Sequence, residues 1–360
     1  MDFLPADSLL INGTILVVCF IILTKSANYL VDGAVGVAYH LNIPKMIIGV
    51  VLVSLGTTMP EFLVSLLAAL KGRSSMSLGN ACGSVIADSA ALALGILVAP
   101  AVVKLPKRFF RGSGLFLIAI NILVFALCLN FMLGRLEGIC LLGIMIGYFC
   151  VLVNNERQRR KRVADGREDE EDDESLKEHL REGGLGRQFL YFGTGMSGVL
   201  LASKFLVEAA INVATIFHVP DVIIGMTVLA VGTSLPEFAT CIIASRKGHG
   251  ELAFGDVIGA DILNILWISG AAATVHPMHL DAKTVYFMFP AMMAMVLLTL
   301  GLGWHRYELR KWKAWTLIGG YAVYMMVLFY LFPPSISEAD TGKPTQTETF
   351  FKDRSEERPI

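Results

Sequence analysis

The chain has 360 residues, 54% of them hydrophobic and only 17% charged, with a mean hydropathy of +0.62 and a formal net charge of −1. A soluble domain carries about 25% charged residues, so this composition excludes one. The near-zero charge offers no basic field to a nucleic acid, and no nucleophile–base pair or metal triad marks a membrane-embedded enzyme.

Apolar runs of about 20 residues recur nearly end to end, which predicts an all-α polytopic membrane protein. Ten spans are read, at roughly 9–30, 44–70, 78–103, 113–133, 136–154, 188–213, 221–245, 252–275, 284–303 and 314–332. Asp2 and Asp7 precede the first span and no Lys or Arg does, so it is expected to be a retained helix rather than a signal peptide. Residues 155–187 form the only long polar insertion, a basic block followed by an acidic one. A solvated linker is expected there, against a second reading as a regulatory segment for cations or anionic lipid. The polar tail after Phe332 is expected to be disordered. The chain thus divides into 1–154, the charged loop 155–187, 188–333 and the tail 334–360. Cys19, Cys82, Cys128, Cys140, Cys150 and Cys241 all fall in apolar runs without CxxC spacing, and read as packing residues.

Lys and Arg distribute unevenly over the connections. With the N-terminus outside, twenty fall on one side, nine of them in 155–187, and eight on the other. The crowded side is expected to be cytoplasmic, with both termini extracytoplasmic.

An internal repeat decides the architecture. Residues 27–72 and 203–248 align without a gap at an offset of 176, pairing Pro44 with Pro220, Gly56-Thr57 with Gly232-Thr233 and Pro60-Glu61-Phe62 with Pro236-Glu237-Phe238. The register runs on through Gly79/Gly255, Gly83/Gly259 and Ile86/Ile262. Five spans separate equivalent positions. Because five is odd, the second copy enters the membrane from the opposite face, the inverted pairing of five plus five spans used by transporters.

The repeat carries acids into the hydrocarbon. Glu61 and Glu237 each lie mid-span directly after proline, where a carboxylate costs at least roughly 2.5 kcal/mol and is a functional candidate by default. Proline removes an amide donor, and the broken turn frees carbonyl oxygens that suit a cavity or an ion. Gly56 and Gly232 ease close helix approach. Thr57, Thr58, Thr233 and Ser234 add hydroxyls, which gives the hard oxygen set preferred by Na⁺ or Ca²⁺. Asp88 follows Glu61 by 27 residues, as Asn264 follows Glu237, and Ser84 lies one turn before Asp88. A central site with three carboxylates suits one Ca²⁺ or several Na⁺ in alternation. The alternative for each acid is a protonated, hydrogen-bonded packing residue. Asp32 and Glu208 also correspond but lie near span ends, where anchoring at the interface is expected. Lys25 and Lys204 are read as snorkelling or as neutralising a nearby acid. Asp261, whose counterpart is Val85, is assigned no role.

These residues resemble the two α-repeats of the cation/Ca²⁺ exchanger superfamily, in particular the prokaryotic sodium/calcium exchangers. The likeness rests on GTTMPE (56–61) with GNACGSVIAD (79–88), and on GTSLPE (232–237) with GDVIGADILN (255–264). The resemblance implies ten transmembrane helices as two inverted five-helix repeats, with helices 2, 3, 7 and 8 broken around the ion sites. It also implies an antiporter cycle in which the first helix of each half slides. On it, Glu61 and Glu237 match the Ca²⁺-coordinating glutamates, Thr57, Thr58, Thr233 and Ser234 the hydroxyl or carbonyl ligands, and Ser84 the serine of the third helix. The family's Asn and Asp are exchanged here as Asp88 and Asn264, and Ala260 stands in place of a serine.

The expected function is therefore exchange of Ca²⁺ for Na⁺, in a protein that is not an enzyme, holds no resident cofactor and sits in the plasma membrane. It is expected to act as a monomer with the ions and the bilayer as its only partners. H⁺/Ca²⁺ exchange is the nearest alternative; a cation channel or a sensor reading ions through its acidic loop are the others.

Overall fold

The computed structural model describes residues 8–41, 43–72, 74–164, 184–216, 230–280, 282 and 284–331. The acidic part of the long loop, the C-terminal tail, Asp2 and Asp7, and the first part of the expected seventh span lie outside these residues.

The described chain is helical almost throughout. Helix α1 (Leu9–His40) opens where the Ser8 hydroxyl accepts from the Ile11 amide. The second span is built in pieces: α2 (Lys45–Ile48), a π-helical turn over Gly49–Val53, α3 (Ser54–Thr57) and α4 (Met59–Leu70). The break falls at Thr58, and the two parts meet at 47°. Pro60 lies in the first turn of α4, where a missing amide costs nothing, and cannot donate to the carbonyl one turn back. α5 (Ser74–Val98), α6 (Lys107–Cys128), α7 (Arg135–Ala164) and α8 (Leu185–Ile216) follow. The second copy of the motif repeats the break at Ser234, between α9 (Ala230–Thr233) and α10 (Leu235–Arg246), again with Pro236 in the first turn. α11 (Gly250–Leu263) passes through a π-helical turn, Asn264–Ile268, into α12 (Ser269–Val275). After a further π turn (Thr284–Met288) come α13 (Phe289–Trp304) and α14 (Lys311–Leu331).

Seven of the described helices are long and apolar enough to cross a membrane, eight with the bent pair taken as one span. The expectation of a broken third helix is corrected: α5 runs 25 residues without interruption, because Ser74–Val98 contains no proline to remove an amide. The eighth is interrupted only by its π turn.

Burial separates the middle of the bundle from its lipid-facing shell. The most apolar stretches of α5 and of α11–α12 are buried over 78% and 94% of their residues, against 17% for α1 and for α7. Cys19, Cys82, Cys128 and Cys241 are buried as packing residues, whereas Cys140 and Cys150 are exposed on α7. α1 packs along α8 at close range: a β-carbon on Gly33 would collide with the Phe192 backbone, and one on Gly195 with the Leu30 backbone. Gly49 and Gly255 likewise bring α11 against the start of the second span, where Gly49 meets the Asp256 amide and Gly255 the Met46 backbone.

Short connections fix which ends coincide. Strand β1 (Val103–Lys104), after α5, pairs antiparallel with β4 (Glu308–Leu309), after α13. β2 (Met132–Leu133), after α6, pairs with β3 (Met278–His279), after α12. Lys45, opening the second span, lies 3.7 Å from Glu251 at the start of α11. Lys247, just past α10, forms a 2.7 Å ion pair with Asp32. The end of α10 therefore sits where α2 begins, so the two copies of the Pro-Glu motif run in opposite directions.

Candidate functional site

The two helix breaks deliver their glutamates to one place. Glu61 and Glu237 each occupy the first turn after a break and are each 1% exposed. Their hydroxyl partners are crossed. The Ser234 hydroxyl donates to Glu61 Oε1 at 3.2 Å, and Thr233 lies against the same carboxylate. The Thr58 hydroxyl donates to Glu237 Oε1 at 3.5 Å, with Thr57 beside it. Each motif thus serves the glutamate of the other, where the sequence suggested hydroxyls beside their own. In each glutamate the second oxygen, Oε2, has no hydrogen-bond partner.

The neighbouring helices bring further oxygens. Asp88 and Ser84 on α5 and Asn264 at the π turn are buried. Neither oxygen of Asp88 has a hydrogen-bond donor, nor have Ser84 Oγ and Asn264 Oδ1 a partner. Two acids the sequence reading did not place in the site join them. The Asp256 carboxylate accepts from Thr240 at 2.6 Å and from Thr57 at 3.3 Å. Asp261 is 3% exposed and its carboxyl comes within hydrogen-bonding reach of Asp88. Asn80, in register with Asp256, holds the Glu61 carbonyl at 3.4 Å and the Ser65 hydroxyl at 3.0 Å. That register was the available signal: an acid at 256 opposite an amide at 80 is the same acid/amide pattern as Asp88 opposite Asn264.

Five carboxyls are therefore buried together, and among the described residues none of them forms an ion pair. Moving an ionised carboxylate out of water costs several kcal/mol even after relaxation, so such a group needs a cation or a proton beside it. Among the described residues no three acidic, histidine or cysteine side chains stand close enough to hold a metal unaided. Any ion held here must draw on the hydroxyls, amides and carbonyls as well, the donor set of a hard cation.

The two halves also match a known sequence pattern: the family described as sodium/calcium exchanger protein fits residues 12–154 and 187–330. The chain belongs to that family. It is 32% identical over 332 residues to the inner membrane protein YrbG of Escherichia coli K12, an alignment that covers 92% of this chain and 98% of the relative. The sodium/calcium exchanger MaX1 of Methanosarcina acetivorans is 28% identical, with 89% and 99% covered. Among solved structures, the sodium-calcium exchanger NCX_Mj soaked with zero Na⁺ and Ca²⁺ superposes with a TM-score of 0.75 at 22% identity, over 89% of this chain and 100% of that one. At that identity the likeness establishes the fold alone. The fold is that of a multi-pass membrane exchanger.

Proposed function

We propose that this chain is a secondary active antiporter that exchanges Ca²⁺ for Na⁺ by alternating access at the Glu61–Glu237 site. The observation that carries the reading is the crossed pair of buried glutamates, each tied by one oxygen to a hydroxyl of the opposite motif and left open at the other. Ca²⁺ or Na⁺ is ligated by Glu61, Glu237, Asp88 and Asn264, with Thr57, Thr58, Thr233, Ser234 and Ser84 supplying hydroxyl or carbonyl oxygens. Competition of the two ions for the same oxygens couples their movements. The close, glycine-mediated seam between α1 and α8 is the surface on which the first helix of each half slides to expose the site to one side or the other.

On this reading the chain spans the plasma membrane ten times as two inverted five-helix repeats. α9–α10 belongs to the seventh span, whose first part lies outside the described residues, and α14 is the tenth. The antiparallel run of the two motifs supports the inversion, and the Lys and Arg bias supports both termini being extracytoplasmic and loop 155–187 cytoplasmic. The transporter acts as a monomer and is not an enzyme.

Uptake of radiolabelled Ca²⁺ into vesicles under an imposed Na⁺ gradient, with the pH gradient collapsed, tests the exchange. Uptake that follows the Na⁺ gradient supports it, and none sinks it. H⁺/Ca²⁺ exchange is the second reading, favoured by the two carboxyls, Asp256 and Asp261, beyond the three that a Na⁺/Ca²⁺ site requires. Uptake that follows an imposed pH gradient without Na⁺ would select it.

A further inference from the structure

The repeat duplicates a second set of charges, away from the central acids. Asp32 answers Glu208 and Lys71 answers Lys247, at the same offset of 176. One device places both lysines. Each caps the C-terminus of the helix that carries a motif glutamate, α4 or α10, and each is followed by a glycine of positive φ, Gly72 at 72° and Gly248 at 81°. Glycine takes that conformation without strain, so the same turn sets where each lysine leaves its helix. A helix dipole favours a lysine at a C-terminus whatever its partner. It does not account for the acids that accompany both lysines at one offset.

In the structure the first pair is made. Lys247 donates to Asp32 Oδ1 at 2.7 Å and to the Asn28 carbonyl at 3.3 Å, both on α1. Its counterpart Lys71 is exposed and, among the described residues, forms no ion pair. The two sets belong to opposite ends of the bundle. α1 and α8 run antiparallel, with Gly33 against Phe192 and Asn212 donating to Asn12 at 3.0 Å, so Asp32 and Glu208 lie towards opposite ends of that helix pair. α4 and α10 also end on opposite faces, because the motifs run in opposite directions.

We propose that these four residues are two alternating latches, Asp32–Lys247 at one face and Glu208–Lys71 at the other, closed one at a time as α1 and α8 move against the helices that hold the site. The proposal rests on the alternating-access reading and not on which ions are exchanged. A shift that draws Asp32 away from Lys247 brings Glu208 to Lys71, and the inverted repeat makes the two end states equivalent. The Asp32 and Lys247 side chains are 53% and 27% exposed. A pair so open to solvent biases an equilibrium by about two- to fivefold rather than locking it, which suits a carrier that must pass between both states in every cycle. The halves differ in one respect. Lys204 takes the register position of Asn28, one turn before Glu208, and offers that carboxylate a second cation, so the Glu208–Lys71 latch is the weaker.

Cross-linking of the full chain in membrane vesicles tests this. In a cysteine-free background, Asp32→Cys with Lys247→Cys and, separately, Glu208→Cys with Lys71→Cys are treated with a short bis-maleimide. Both pairs are expected to cross-link, and a chain carrying all four cysteines is expected to accept either cross-link but not both. Reaction at 32/247 with none at 71/208, or both cross-links in one chain, overturns the proposal. A second measurement keeps the charges of the first latch in place. In the 71/208 double-cysteine chain, Asp32→Asn should speed cross-linking two- to fivefold, and the exchanged pair Asp32→Lys with Lys247→Asp should restore the slower rate. A rate that Asp32→Asn leaves unchanged, in protein that elutes as a single species, makes Asp32–Lys247 an ordinary surface pair and overturns the proposal. Vesicle flux separates the two claims: wild-type exchange without mutually exclusive cross-links refutes the latches alone, whereas exclusive cross-links in a chain that moves no Ca²⁺ on a Na⁺ gradient support the latches and refute the exchange.

Discussion

Glu61→Gln and Glu237→Gln each keep a hydrogen-bond acceptor for the crossed hydroxyl but remove the charge that the proposed site offers to an ion. Both are expected to lower Ca²⁺ flux in vesicles at least a hundredfold while the protein is still expressed and monodisperse. A variant with normal flux would exclude that glutamate from the site. The crossed hydroxyls contribute less. Loss of one ordinary hydrogen bond is worth about 1 kcal/mol, and 1.4 kcal/mol is tenfold in affinity. Thr58→Val or Ser234→Ala should therefore raise the Ca²⁺ concentration for half-maximal flux by roughly three- to tenfold. Asp88→Asn should weaken Ca²⁺ transport, and Asn264→Asp in the same chain should recover part of it if both positions serve one ion; no recovery would place them on separate ions. Most of these residues were legible in the sequence because the repeat marks them twice, at a fixed offset and beside proline. Asp256 carries the same mark as Asp88, an acid in register with an amide, here Asn80. Thr240 carried no signal, because its partner is fixed by how α10 packs on α11 rather than by any pattern along the chain.

Helix breaks follow the same division. Proline announces the breaks at Thr58 and Ser234, since a missing amide is a property of the residue itself. No such residue lies in α5, and the family resemblance alone suggested a break there that the helix does not have. The π turns over Gly49–Val53 and Asn264–Ile268 were not legible at all. A wider turn of this kind is rare and carries no residue signature, and its place is selected by the helices packed around it. Two predictions belong to these elements. A leucine at Gly195 would drive a side chain into the Leu30 backbone of α1. It should abolish exchange, and Gly195→Ala should act in the same direction but less strongly; flux equal to wild type in both would show that the α1–α8 seam tolerates separation. Lys313, at the start of α14, donates to the carbonyls of Leu302, His305 and Glu308 at 2.7, 2.8 and 2.6 Å and is fully buried. A charge-assisted hydrogen bond contributes about 1.5–3 kcal/mol, so Lys313→Met, which orphans three acceptors, should lower the melting temperature clearly in detergent. An unchanged melting temperature would mean that water replaces the ammonium there.

Four long helices, α5 to α8, lie between the two copies of the motif, so that the copies run in opposite directions through the bundle. That count was available from hydropathy and the repeat together, which is why the antiparallel run of α2–α4 against α9–α10 matched expectation. The two small antiparallel strand pairs were not foreseen. Two-residue strands have no detectable period, yet they tie the connection after α5 to that after α13, and the connection after α6 to that after α12. The orientation of the bundle is an expectation of the Lys and Arg bias. A single cysteine placed in 165–183 of a cysteine-free variant should react with an impermeant thiol reagent only in inverted vesicles, and labelling in right-side-out vesicles would reverse the topology. The charge of the buried cluster bears on the whole cycle as well, because the five carboxyls have to be compensated in every state the protein visits. The most direct test of that central requirement is radiolabelled Ca²⁺ uptake into proteoliposomes of the wild type and of Glu61→Gln, driven by a Na⁺ gradient with the pH gradient collapsed. Saturable, Na⁺-driven uptake by the wild type and none by the variant is the expected result; equal uptake by both, or none by either, would contradict it.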